Sequence, residues 1–185
     1  SKSIFLADLN NIKEKINQNP LVASFKLEKK FPDIVYAKIE ERKPAAILSH
    51  NDEYFLIDRG GVIFEKISEL NPELLLIKNS VQNNPPELGK EAVAKEKMSQ
   101  ILKIESQFKN NFKIPLKEIL IASEERINAK TREGWQVYFN SKGDIDWQME
   151  SLGILLEEKL LQEKRKKLEY IDLRFNKIYI FPEIK

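Results

Sequence analysis

Apolar residues recur along this chain at two spacings, and the switches between them mark its elements. Leu9, Ile12 and Ile16 share one face of a short helix predicted over residues 8–18, capped by Asp8 and ended by Asn19-Pro20. The spacing then drops to two. Ala23, Phe25 and Leu27, and again Val35, Ala37 and Ile39, alternate with Lys26, Glu28, Tyr36, Lys38 and Glu40, which is the pattern of half-buried strands. Two strands are predicted, over 22–29 and 34–42. They join as a hairpin across Pro32-Asp33, where proline cannot donate to a ladder and aspartate suits a turn. Pro44 punctuates the chain. Strands follow at 45–49, 53–58 and 62–65, the last pair joined through Arg59-Gly60-Gly61, whose two glycines supply the positive φ of a tight connection.

Segment 67–90 is irregular apart from a short strand at Leu74–Ile77, and its length predicts that part of it lies over the sheet. A helix follows, starting at Pro86 or Glu91 and ending at Asn110-Asn111, with Ala94, Met98, Ile101 and Phe108 at helical spacing. Beyond Pro115, strands are predicted at 117–123 and 125–131, or as one long bent strand across both, and at 135–140. In the last of these Trp135, Val137 and Phe139 point one way and Gln136, Tyr138 and Asn140 the other. A turn at Ser141–Asp144 leads to a short strand at Ile145–Gln148 and then to a second helix over 151–168. Ser151 caps that helix, Leu152, Leu155, Leu156, Leu160 and Leu168 form its stripe, and Lys164–Lys167 lie at its cation-favouring end. The chain closes on a strand-like run, Glu169–Phe181. Its apolar phase slips at Asn176-Lys177, which requires a bulge or a turn there. The fold class is α+β.

Composition narrows the picture. At 185 residues the chain suits one or two small domains. Apolar residues at 42% and charged residues at 32% describe a folded protein with a heavily charged surface. Its 31 basic and 29 acidic residues are well mixed, against the one-sided surface of a nucleic-acid binder. The absence of cysteine removes disulfides, thiolate metal sites and cysteine nucleophiles. The longest aliphatic run, Leu74–Ile77, falls far short of the ~20 residues that span a bilayer.

Asn19-Pro20, Val22, Phe31-Pro32, Ile39, Glu41-Arg42, Pro44-Ala45, Ile57-Asp58 and Gly61-Val62-Ile63-Phe64, in that order, resemble the extracytoplasmic part of the FtsQ/DivIB family of bacterial cell-division proteins. A second stretch is similar to that family's closing pattern: Trp135–Phe139, Gly143-Asp144, a helix, then Ile171-Asp172-Leu173-Arg174-Phe175. The resemblance implies a partial POTRA-like ββ unit with a helix over 1–47, lacking the first strand and helix of a complete module. It implies a mostly antiparallel β domain with two helices over 48–185. It further implies a single-pass protein whose N-terminal anchor is not in this chain, facing the extracytoplasmic side of the division septum. The implied partners are small coiled-coil division proteins of the FtsB/DivIC and FtsL types, with no cofactor, no nucleic acid and no small-molecule substrate.

The candidate chemistry is sparse. His50, beside Asn51-Asp52, reads as a loop residue. Asp144, Asp146 and Glu150 gather carboxylates for a cation or for paired acid/base work, and a small hydrolase using Asp144 and Asp146 is one alternative function. A second alternative is a POTRA-type chaperone module of an export or barrel-assembly system, although such modules recur in tandem and no repeat is visible. Lys164–Lys167 could meet phosphates or anionic lipid, but read better as a solvated helix end. Glu41-Arg42 and Lys43-Pro44 read as an interdomain turn tied by an ion pair. Trp135 and Trp147 read as core or half-core residues.

The terminal run differs from these, because a last strand has no sequence neighbour on its far side and can form a sheet edge. An edge is a template for an incoming strand. The residues alone leave open whether it is exposed or protected by its lysine. The resemblance favours the first, because the family's C-terminal strand region receives a strand from an FtsB/DivIC-type partner. Tyr170, Asp172, Arg174, Phe175, Lys177, Ile178, Tyr179 and Ile180 are the candidate partner-binding residues. Asp172 and Arg174 are chosen on the resemblance and the others by edge geometry.

Overall fold

The computed structural model describes residues 9–30, 34–81 and 84–183. Helix α1 (Leu9–Asn17) precedes an antiparallel hairpin of β1 (Val22–Lys30) and β2 (Ile34–Glu41). The register sets Phe25 opposite Ile39 and Leu27 opposite Ala37, so the apolar phase of each strand shares a face. That face is thinly covered, with Ile39 exposed on it, and Ile34 and Tyr36 of the other phase are exposed as well. The expected cap at Asp8 and the turn at Pro32-Asp33 lie outside the described residues.

The remainder is one mixed, mostly antiparallel nine-stranded sheet. Its strands are β3 (Ala46–His50), β4 (Glu53–Ile57), β5 (Ile63–Ile67), β6 (Leu75–Asn79), β7 (Leu116–Ile121), β8 (Arg126–Thr131), β9 (Gln136–Asn140), β10 (Tyr170–Asp172) and β11 (Tyr179–Phe181). The order across the sheet is β11-β10-β9-β8-β7-β6-β3-β4-β5. Helices α2 (Lys95–Gln107) and α3 (Ile145–Glu158) carry Met98, Ile101, Ile104, Met149, Leu152 and Leu156 into one core with Ile77, Ile119, Ile127, Val137, Phe139 and Ile171. The opposite sheet face carries Glu118, Arg126, Asn128, Tyr138 and Tyr170, residues of the other strand phase. The fold is α+β, with the helix-plus-hairpin unit ahead of the large sheet.

Several expectations need correction. Residues 145–148 are not a strand but the first turn of α3. The Asp144 carboxylate accepts the backbone N–H of Asp146 and Trp147 at 2.9 and 3.1 Å, so the helix starts at Ile145 and Ser151 is interior. The predicted helix over 151–168 breaks after Glu158, and a four-residue α4 (Gln162–Arg165) carries part of the basic run. Helix α2 begins at Lys95 and runs into a π-helical turn (Phe108–Phe112) that ends at Lys113 in the left-handed region, φ 56°. Of the two glycines at the β4–β5 turn only Gly61 has positive φ, at 77°. Trp135 is fully buried, as its phase requires, but Trp147 is 44% exposed.

The largest correction concerns the terminal run. Glu169–Phe181 is two strands, not one. The phase slip is a chain reversal, and β10 and β11 form an antiparallel hairpin with Tyr170 opposite Phe181, Ile171 opposite Ile180 and Asp172 opposite Tyr179.

Candidate functional site

The two ends of the large sheet differ. Strand β5 closes one end, and segment 89–93 lies along its start. Ile63 donates to the Lys90 carbonyl at 2.9 Å, Gly89 donates to the Ile63 carbonyl at 2.7 Å, and Ala92 donates to the Gly61 carbonyl at 2.9 Å. The sequence-based expectation is that part of 67–90 lies over the sheet; these hydrogen bonds instead run along the edge of the sheet, through residues 89–92. Strand β11 closes the other end, paired with β10 on one flank and with no strand among the described residues on the other.

The candidate residues fall into three groups on this hairpin. Tyr170 and Asp172 sit on β10, which is flanked by β9 and β11, so their backbone is already committed within the chain. The edge geometry that selects Tyr170 is corrected here, because the chain reverses at the turn and puts β11 outside β10, whereas Asp172 is chosen on the resemblance. Arg174, Phe175, Lys177 and Ile178 occupy the turn. Tyr179 and Ile180 lie on the edge strand itself. Ile178 and Ile180 pack partly against the core, while Phe175 and Tyr179 are 54% and 50% exposed.

Asp172 and Arg174 form a fork. The Arg174 Nε donates to Asp172 Oδ1 at 2.9 Å and Nη2 to Oδ2 at 2.6 Å, and the Arg174 backbone N–H also reaches Oδ1 at 3.1 Å. Burial pushes the Asp172 carboxyl up, yet the Arg174 hydrogen bonds and charge, with Arg126 behind them, hold it below the usual carboxylate range. The pair pins the end of β10 and aims the turn. Phe175 meets Tyr179 edge-on at 6.1 Å, and Lys177 lies over the Tyr179 ring at 5.6 Å.

Four further residues belong to this surface, and none of them is among the sequence-predicted partner-binding residues. Phe181, an aromatic residue of the terminal run, lies 47% exposed at the end of β11. Tyr138 and Arg126 belong to the same surface from distant strands, and the period-two pattern of 136–140 already placed Tyr138 off the core face. Trp147 joins Leu173, Arg174 and Phe175 around a shallow depression of about 270 Å³ beside the turn.

The other candidates are accounted for locally. Asp144 is a helix cap, Asp146 pairs with Lys103, and no cluster of metal-ligating side chains occurs among the described residues. The His50 ring meets the Asn51 side chain at 3.2 Å. In the basic run, Arg165 is bonded to Glu133 at 2.8 and 3.0 Å, and Lys166 pairs with Glu163. No helix of the described residues is long and apolar enough to cross a membrane.

Arg42 forms the tie expected of the interdomain turn. Its guanidinium pairs with Asp58, its Nε donates to the Pro20 carbonyl at 3.0 Å, and its backbone N–H donates to the Leu21 carbonyl at 2.7 Å. The Asp58 carboxylate in turn accepts the N–H of Gly60 and Val62 at 2.8 and 3.0 Å. The glutamate–arginine and aspartate–glycine motifs of the sequence thus meet at one joint.

Comparison with known proteins agrees with this arrangement. Residues 46–174 match the family model described as cell division protein FtsQ/DivIB, C-terminal, and residues 1–42 match the POTRA domain, FtsQ-type. The first match stops at Arg174, so Phe175–Phe181 lie beyond it. The cell division protein DivIB of Clostridium tetani is 22% identical over 94% of this chain and 66% of its own length, and that of Clostridium acetobutylicum 23% identical over 96% and 71%. The cell division protein FtsQ of Rickettsia bellii is 34% identical over 40% of this chain and 27% of its own length. The chain thus spans about two thirds of the length of the DivIB relatives. With most of the large sheet matched by one family model and the unit ahead of it by the accompanying POTRA model, the chain belongs to the FtsQ/DivIB family of cell-division proteins.

Proposed function

We propose that the chain is the extracytoplasmic part of a non-enzymatic divisome scaffold, which binds a division partner by accepting one of its strands along β11. The observation that carries this reading is the asymmetry of the sheet: segment 89–93 runs along β5, whereas the outer flank of β11 has no ladder partner among the described residues. A strand laid there gains backbone hydrogen bonds for affinity and alternating side-chain contacts for specificity. Arg174 and Lys177 at the turn favour acidic residues flanking the incoming strand. The fitting partners are short coiled-coil division proteins of the FtsB/DivIC and FtsL types. In this reading 1–47 forms a POTRA-like unit that contributes to septal recruitment, 48–185 forms the strand-accepting domain, and a single N-terminal span anchors the whole protein in the cell membrane.

The test is backbone hydrogen exchange of the chain with and without the extracytoplasmic segment of the FtsB/DivIC-type protein of the same genome. Protection is expected to rise at 178–183, and Ile180→Pro should weaken binding at least about ten-fold, since it removes a ladder donor. Tyr179→Glu, which keeps the backbone intact, should weaken it as well. Protection appearing elsewhere, with both variants binding normally, would remove β11 as the site.

A further inference from the structure

Strand β11 is held by side chains as well as by backbone. It makes three pairs with β10, and β10 makes three with β9. Across these short ladders, on the sheet face opposite the helices, runs a row of flat groups. The Arg126 guanidinium lies 4.2 Å from the centre of the Tyr138 ring. Tyr138 stacks on Tyr170 at 5.0 Å with 22° between the planes, and Tyr170 stacks on Phe181 at 5.5 Å and 18°. These spacings follow the distance between neighbouring strands, about 4.8 Å. The row therefore advances one rung per strand, from β8 through β9 and β10 to β11.

Tyr138 has a flat neighbour on each side, Arg126 and Tyr170, and Tyr170 likewise lies between Tyr138 and Phe181. Phe181 has Tyr170 on its inner side and is 47% exposed. Its outer side faces the position that a further strand would take, at the same spacing.

We propose that this row is one rung short, and that the partner strand completes it with an aromatic side chain stacked on Phe181. The proposal rests on the strand-addition reading and adds to it which side chain the incoming strand brings and on which face. An aromatic fits better than an aliphatic group because offset stacking adds to the gain from burying area alone. The other face of the edge makes a different demand. Ile178 and Ile180 share the core-facing phase and are half-buried, so residues alternating to that side meet an aliphatic surface. The recognised segment is thus an alternation of aliphatic and aromatic residues, bounded by acidic ones that complement Arg174 and Lys177.

The test uses the full chain and three short host peptides. Each is a Thr-Xaa repeat flanked by glutamates, with Xaa tyrosine, leucine or alanine throughout, so that shifts of register by two residues present the same side chains to Phe181. The tyrosine peptide should bind about five-fold more tightly than the leucine peptide, and should move the Phe181 ring protons upfield by ring current. The preference should vanish in Phe181→Leu and persist in Phe181→Tyr, which keeps the ring. Because the tyrosine-to-leucine ratio is read first on the unaltered chain, the test does not depend on a variant folding. Equal affinity of the tyrosine and leucine peptides, ring-current shifts on the Ile180 methyls alone, or a preference that survives Phe181→Leu would each overturn the missing rung while leaving strand addition standing. No binding by any of the three peptides would overturn both.

Discussion

At Gly61 two constraints coincide. Its φ of 77° is one that a residue with a Cβ adopts only at a cost, and a Cβ built there would lie 1.8 Å from the Val93 carbonyl oxygen. Gly61→Ala should therefore destabilise the protein by at least about 2 kcal/mol, measured by denaturant unfolding. Gly60, the preceding residue in the same turn, has no such φ, and the sequence alone did not separate the two. Asp172 carries a pH signature. Its carboxyl is depressed in the folded state, so its stabilisation is present above the unfolded value of about 3.9 and is lost as pH falls from there through the folded value. Amide protection over 170–181 should drop below about pH 4 in the unaltered chain, whereas Asp172→Asn should lose it already at pH 7 and show no further acid transition there. Glu105 behaves in the opposite sense. Burial raises its carboxyl despite nearby Lys109, so it costs stability as pH rises from the ordinary glutamate value through the raised one. Glu105→Gln should be more stable than the parent at pH 7, with the difference closing by about pH 4, read as Tm against pH.

At the scale of elements, α3 shows how one residue overrides a short pattern. Ile145, Asp146, Trp147 and Gln148 alternate like a strand, but Ile145, Gln148, Met149, Leu152 and Leu156 repeat at three and four, and all five are buried. The longer period wins once Asp144 caps the first turn. Asp144→Ala should cost about 1 kcal/mol and speed exchange of the Asp146 and Trp147 amides, without altering the β9 ladder. The hairpin of β1 and β2 was legible from alternation alone, because one apolar face per strand fixes its register. The hairpin of β10 and β11 was only half legible. The phase slip at Asn176-Lys177 required a break, but a bulge and a reversal leave the same local pattern.

Across the whole molecule, Arg42 joins the small hairpin unit to the large sheet. Its side chain and that of Asp58 are 19% and 14% exposed, a burial at which removing one partner leaves the other poorly solvated. Arg42→Ala should cost roughly 1–3 kcal/mol and speed exchange over 21–41. The Gly60 and Val62 amides, which Asp58 still accepts, should stay protected. A loss confined to those two amides would mean that Arg42 supports only its own turn.

Periodicity in the amino-acid sequence determined which side chains lie inside. Trp135, Val137 and Phe139, the stripe of Met98, Ile101 and Phe108, and the strands between Val22 and Ile67 all follow from it, because the side-chain direction of each element is a local property. What only the tertiary structure decided is the order of strands and therefore which one ends the sheet. Strand β10 lies parallel to β9 after a helix intervenes, and β11 folds back outside it, choices governed by pairings between distant residues. The row from Arg126 to Phe181 could not be read along the chain for the same reason: its four members come from four strands and become neighbours only when those strands are laid side by side.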